Sequence, residues 1–203
     1  MVLTAEERRK LDETDDTLFY LQPRLVTHVD QLFIWQLTNL YRQYLRPEMV
    51  ILDLMSSWVS HLPKEVKYAR VEGHGLNAEE LAHNPQLDRF FVQNLNQNQH
   101  LPYEDATFDA VLNTVSVQYL QYPEAVFREI ARILKPGGIA IVSFSNRMFF
   151  TKAIQAWINA SEKERVELVK SYFADSGMFG EPEVIARPSW FSDPFYAVIA
   201  RRK

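Results

Sequence analysis

Apolar positions along this chain fall into two patterns. Between Val29 and Leu45 they recur at i, i+3 and i+4, so that Val29, Leu32, Phe33, Leu37, Leu40, Tyr41 and Tyr44 share one face. That spacing predicts a long amphipathic helix, stopped ahead of Pro47. From Met49 onward, short apolar runs alternate with stretches of helical period. "MVILDL" is continuous in the way that a parallel strand buried on both faces requires, and "YARVEGHGL", "RFFVQNL", "TFDAVLNTVSV" and "IAIVSFS" are strand-like in turn. Between them lie a helix capped by Asn77 in "NAEEL" and the helix "PEAVFREIARIL", opened by Pro123 and followed by a "KPGG" turn. Two more helices are expected, "FFTKAIQAWINA" and "SEKERVELVKSYFADSG", the second with a Ser161/Glu164 capping box and a closing Gly177. "PEVIARPSW" and "DPFYAVIARR" end the chain as two strands. Thr4 with Glu7 predicts one further short helix at the start.

This alternation argues for an α/β fold: a Rossmann-like, doubly wound, mostly parallel seven-stranded sheet whose last strand enters antiparallel. Residues 1–46 are expected to form a helical cap packed on the core, and residues 47–203 one globular unit.

Composition narrows the function classes. The chain is 47% apolar and 24% charged, as soluble globular domains are, and its net charge of −4 offers no basic footprint for nucleic acid or an anionic membrane. With no cysteine there is no thiolate metal site or thiol nucleophile, and five dispersed histidines lack the paired spacing of a metal site. "MVLTAEERRK" is charged where a signal peptide is apolar, and no run approaches the roughly 20 apolar residues of a membrane span. The expectation is a cytoplasmic protein with a small-molecule substrate and no metal. Its oligomeric state is not legible.

One segment is more specific. "LPYEDATFDAVLNTVSVQYLQYPEAVFREIARILKPGGIAIVSFSN", Leu101 to Asn146, resembles the carboxyl half of class I S-adenosylmethionine-dependent methyltransferases, the type 11 small-molecule group. "LP", an acidic turn, "FDAV", a helix rich in Arg and Glu and then "LKPGG" occur in that family's order. The resemblance implies S-adenosyl-L-methionine as cofactor, held by the loops after "ILDL", "EGHGL", "FVQNL" and "VLNT".

In the family the first loop is glycine-rich, because the backbone approaches the cofactor closely. Here it holds Met55, Ser56, Ser57, Trp58 and Val59 after Asp53, so the serine hydroxyls are the candidates for cofactor contact and Trp58 must turn aside. Ser56 and Ser57 could equally cap the next turn, and Asp53 could orient the loop rather than touch ligand. An acid expected at the end of the second strand falls on Gly75, leaving His74, Leu76 and Asn77 as neighbours, or Glu72 in a different register. Asn77 has the competing role of helix cap. The third loop offers Asn94, Leu95 and Asn96 for adenine, and the fourth Asn113, Val115 and Ser116 for the methionine end.

For the acceptor, the stretch "LFYLQPRLVTHVDQ" supplies Tyr20, Arg24 and Asp30 with His28 as a candidate base, and His61 joins them at the mouth. Asp30 could instead be a helix cap and His28 a surface residue. Two function classes follow: methyl transfer to a small molecule, or a non-catalytic protein of the same fold that binds a partner or another ligand. A serine hydrolase lacks its G-x-S-x-G elbow here, and a dehydrogenase its glycine fingerprint.

Overall fold

A computed structural model describes residues 2–203. Its elements are α1 (Asp16–Phe19), α2 (Gln31–Tyr44), β1 (Val50–Asp53), β2 (Arg70–Gly75), α3 (Ala78–Ala82), β3 (Arg89–Val92), β4 (Phe108–Thr114), α4 (Pro123–Ile133), β5 (Leu134–Phe144), α5 (Gln155–Ile158), α6 (Glu162–Ser176), β6 (Glu183–Arg187) and β7 (Phe195–Arg201). The strands form one sheet of order β3-β2-β1-β4-β5-β7-β6, in which β7 runs antiparallel to both of its neighbours. The doubly wound frame and the antiparallel last strand are as the alternation predicts.

Successive residues of a buried strand feed opposite faces. Ile51, Ala110, Leu112, Ile139 and Ile141 pack with Phe33, Leu37 and Tyr41 of α2, while Leu52, Val111, Ala140 and Val142 pack with Val126, Phe127 and Ile130 of α4 and Val169 and Phe173 of α6. Both faces are therefore covered, which is why the strand sequences are apolar throughout. Lying flat on the sheet, α2 forms one of the two outer layers. Its expected apolar face is buried except at Leu32, which is 48% exposed, and at Tyr44, which is partly buried.

Three local expectations need correction. Thr4 and Glu7 make their reciprocal capping contacts, but the segment closes into turns instead of a helix. "FFTKAIQAWINA" is helical only over Gln155–Ile158, because Ile154 bridges to Lys10 and the Lys152 ammonium is drawn into a buried cluster with Asp12 (3.0 Å) and Asp16 (3.5 Å). "LKPGG" lies inside β5 as an irregularity, where the register with β4 slips between Phe108/Leu134 and Ala110/Ile139 and Gly137 takes a φ of 77°. Among the described residues no helix is long and apolar enough to cross a membrane.

Candidate functional site

Chain order reverses between β1 and β4, and a cavity of about 270 Å³ opens beyond their carboxyl ends, where ligands lie in open α/β sheets. Its floor is the four loops after β1, β2, β3 and β4. Its roof is the segment from Asp16 to Val29 together with Arg147, Met148 and Phe149.

The first loop is fixed by its own backbone. Met55 adopts a φ of 58°, a left-handed conformation usually left to glycine. The Met55 amide then donates to His74 Nδ1 (3.1 Å) and the Ser56 amide to the His74 carbonyl (2.6 Å). His74 Nε2 lies 2.8 Å from the Gln93 carbonyl. Because Nδ1 accepts, the proton sits on Nε2 and the ring is neutral; burial pushes its pKa down to about 4. His74 is thus a pin joining the first three loops, placed by β2, and at 1% exposure it offers no free nitrogen to a ligand.

The two serines are also committed. Ser56 Oγ donates to Asp53 (2.5 Å) and Ser57 Oγ to Glu80 (2.7 Å), so each hydroxyl orients an acid and keeps only lone pairs for a ligand. Asp53 is 4% exposed, and burial, opposed by bonds from Ser56 and Ser60, raises its carboxyl to about 6. Trp58 lines the cavity, and its indole donates to the Val26 carbonyl (3.0 Å), tying the loop to the roof.

At the end of β2 an added Cβ on Gly75 would lie 2.7 Å from the Ser56 carbonyl, so this position cannot carry the expected acid while the first loop sits as it does. Glu72 does not replace it, because it accepts from Tyr103 (2.7 Å), pairs with Arg70 (2.7 Å) and lies outside the cavity lining. Asn77 caps α3 through the Glu80 amide (3.0 Å) and donates to the carbonyls of Tyr20 and Leu21. In the third loop, Asn94 accepts from the Asn96 amide and donates to Asp15, while Asn96 donates to Asp16 and Tyr119 and accepts from the Gln121 amide. Those side-chain amides line the cavity but are spent on holding the roof.

In the fourth loop, Val115 has a φ of 50°, rare for a β-branched residue, and its amide donates to the Ser143 carbonyl (2.7 Å). Ser116 Oγ is buried at the lining with no partner. Asn113 departs from expectation: it points to the Leu54 carbonyl (3.3 Å), buried and outside the lining.

The roof is aromatic. Phe149 makes ring contacts with Phe19, Tyr20, His28 and Tyr119, and the Arg24 guanidinium lies over Phe19 (4.5 Å) and Phe149 (5.3 Å). Arg24 Nη1 is buried without a partner. Tyr20, Arg24, His28 and His61 all line the cavity. Desolvation lowers both histidines, His61 to about 4, so both are neutral near pH 7. Asp30 is elsewhere: its carboxylate caps α2 by accepting from the Phe33 amide and also accepts from the Asp193 amide, while its own amide donates to the Asp193 carboxylate.

Residues 56–142 match the family described as Methyltransferase domain. Over that segment, and in its fold, the chain is similar to methyltransferases. It is 25% identical over 112 residues to a malonyl-[acyl-carrier protein] O-methyltransferase of Marinomonas, covering 52% of this chain and 42% of that protein. It is 31% identical over 70 residues to the thiol S-methyltransferase TMT1B of Rattus norvegicus, covering 28% of this chain and 29% of that one. The chain therefore spans less than half the length of these relatives. The PH0226 protein of Pyrococcus horikoshii superposes with a TM-score of 0.60 at 16% identity, over 92% of this chain and 98% of that one, a likeness of fold alone.

Around this cavity, sequence reasoning passed over Glu80, Tyr119, Arg147 and Phe149. Glu80 has the spacing of a capping acid three residues after Asn77, which masks it. Its carboxylate turns instead to Ser57 and to the Arg24 amide (2.7 Å). Tyr119 and Phe149 carry no motif, and only the fold brings them to the cavity.

Proposed function

We propose that the protein binds S-adenosylmethionine in this cavity and transfers its methyl group to a small molecule. The observation that carries the reading is a cavity over the strand ends whose lining residues include Arg24 and Ser116, each with a buried polar atom lacking any partner, Arg24 Nη1 and Ser116 Oγ; the third such atom, Asp16 Oδ1, faces the Lys152 ammonium at 3.5 Å. Buried polar atoms are nearly always satisfied, so two without a partner on residues that line one cavity favour a polar ligand there. Arg24 suits a carboxylate, and Ser116 lies on the loop after β4. Leu95, 3% exposed, and the backbone beside it leave an apolar wall for a flat base.

When bound, the cofactor supplies an electrophilic methyl group on a sulfonium. The chain's own task is alignment and exclusion of water, for which the roof of Tyr20, His28, Tyr119 and Phe149 is suited. An aromatic wall and a cavity of about 270 Å³ favour a small acceptor with an apolar body over a macromolecule. Where that acceptor carries a proton, His28 is the group to take it: it lines the cavity from a solvent-exposed position, its ring is held edge-on to Phe149 at 5.2 Å, and partial desolvation lowers its pKa.

Calorimetric titration with S-adenosylmethionine, and separately with S-adenosylhomocysteine, tests the reading. Dissociation constants on the order of micromolar are expected. Absence of heat and of thermal stabilisation at millimolar ligand would sink it and favour a non-catalytic protein of this fold.

A further inference from the structure

Glu80 is a buried carboxylate with an incomplete environment. It is 7% exposed, it lines the cavity, and its carboxylate accepts from two neutral donors, Ser57 Oγ and the Arg24 amide, each at 2.7 Å. Among the described residues no Lys, Arg or His nitrogen comes within ion-pair distance of it. A carboxylate has about four acceptor sites, so two donors leave about half of them open. Burying a charge in that state is costly unless something else completes it. The strand end beside it cannot supply an alternative acid, since Gly75 is closed off by the Ser56 carbonyl at 2.7 Å and Glu72 is held away by Tyr103 and Arg70.

We infer that Glu80 binds the vicinal hydroxyls of the cofactor's ribose, reaching into the cavity from the first turn of α3 in place of an acid on β2. The assignment rests on the S-adenosylmethionine reading. Two adjacent hydroxyls present two donors, which is what the open acceptor sites of one carboxylate match. Ser57 fixes one oxygen and the Arg24 amide the other, so the carboxylate is oriented before any ligand arrives. The Arg24 amide on Glu80 and the unpartnered Arg24 Nη1 also link the proposed ribose end to the proposed carboxylate end through one residue.

The test is titration of the full chain with S-adenosylhomocysteine and with its 2′,3′-dideoxy counterpart, for wild type and Glu80→Gln. Wild type should prefer the diol form by about tenfold or more, the worth of charge-assisted bonds. Glu80→Gln should lose that preference: the diol ligand weakens by about tenfold while the dideoxy ligand changes by less than about twofold. Equal weakening of both ligands is the signature of a residue that only anchors the roof, and it would overturn the assignment. Wild type alone keeps the idea exposed if the variant misfolds, because equal binding of both ligands by wild type also overturns it. Binding of neither ligand removes the cofactor reading and this assignment together.

Discussion

The loops after β1 and β4 face the same cavity and solve its demands differently. After β4, the sequence stays close to the family pattern, the Val115 amide is taken up by Ser143, and a polar side-chain atom, Ser116 Oγ, is left open. After β1, the amides of Met55 and Ser56 are consumed by His74, the serine hydroxyls by Asp53 and Glu80, and little of the backbone is free. A glycine loop offers bare amides to its ligand. This one is a closed structural unit that presents acids instead. The difference teaches that a missing glycine motif need not mean a collapsed site, because a left-handed Met55 and a pinning His74 can hold the same turn while polarity moves onto side chains.

The sharpest way to break that comparison is to restore the family's acid. Gly75→Asp puts a Cβ 2.7 Å from a backbone carbonyl that belongs to the first loop, and adds a charge in a buried position. Overpacking and an unpaired charge together should cost about 4 kcal/mol, with ligand affinity falling rather than rising. Thermal unfolding and titration with S-adenosylhomocysteine would show it; a stable variant that binds more tightly would mean that the first loop is free to move and that its closed state is not what fixes Gly75.

Removing the pin is the next largest perturbation. His74→Phe keeps an aromatic ring against Phe91 but strands the Met55 amide and the Gln93 carbonyl. Leaving two buried backbone groups unsatisfied should cost about 3 kcal/mol. Hydrogen exchange should then speed up at Met55 and Ser56 and stay unchanged at Val115, whose bond to Ser143 does not pass through His74. Equal acceleration in both loops would erase the contrast between them.

The frame was legible and the bonding inside the site was not, for a physical reason. A strand buried on both faces must be apolar throughout, so "MVILDL" and "IAIVSFS" declare themselves, and capping geometry is local enough that Ser161, Glu164 and Asn77 can be read from spacing. The loops were placed correctly over the strand ends for the same reason. Which atom each side chain engages depends on neighbours distant in sequence: Ser57 meets Glu80 23 residues on, and Asn96 meets Asp16 80 residues back. Spacing contains no trace of such contacts, so the serines, His74 and Asn96 look like free ligands in the sequence when they are structural partners.

The last contrast is between two opposed titrations at the first loop. Asp53 is raised from 3.8 to about 6 by burial, so between those values the folded state holds a proton that the unfolded chain has lost, and stability falls as pH rises. His74 is lowered from 6.5 to about 4, so across nearly the same window the unfolded chain binds the extra proton and stability rises with pH. At about 1.4 kcal/mol per pKa unit each amounts to roughly 3 kcal/mol, so these two contributions offset one another to within about 1 kcal/mol, while His61, lowered likewise to about 4, adds its own rise with pH in wild type and in both variants. Measured by denaturant unfolding from pH 4 to 6.5 and taken relative to wild type, Asp53→Asn should gain stability with rising pH and His74→Phe should lose it. Two variants that shift in parallel would show that the first loop's acid and its pin do not titrate as independent, opposed groups.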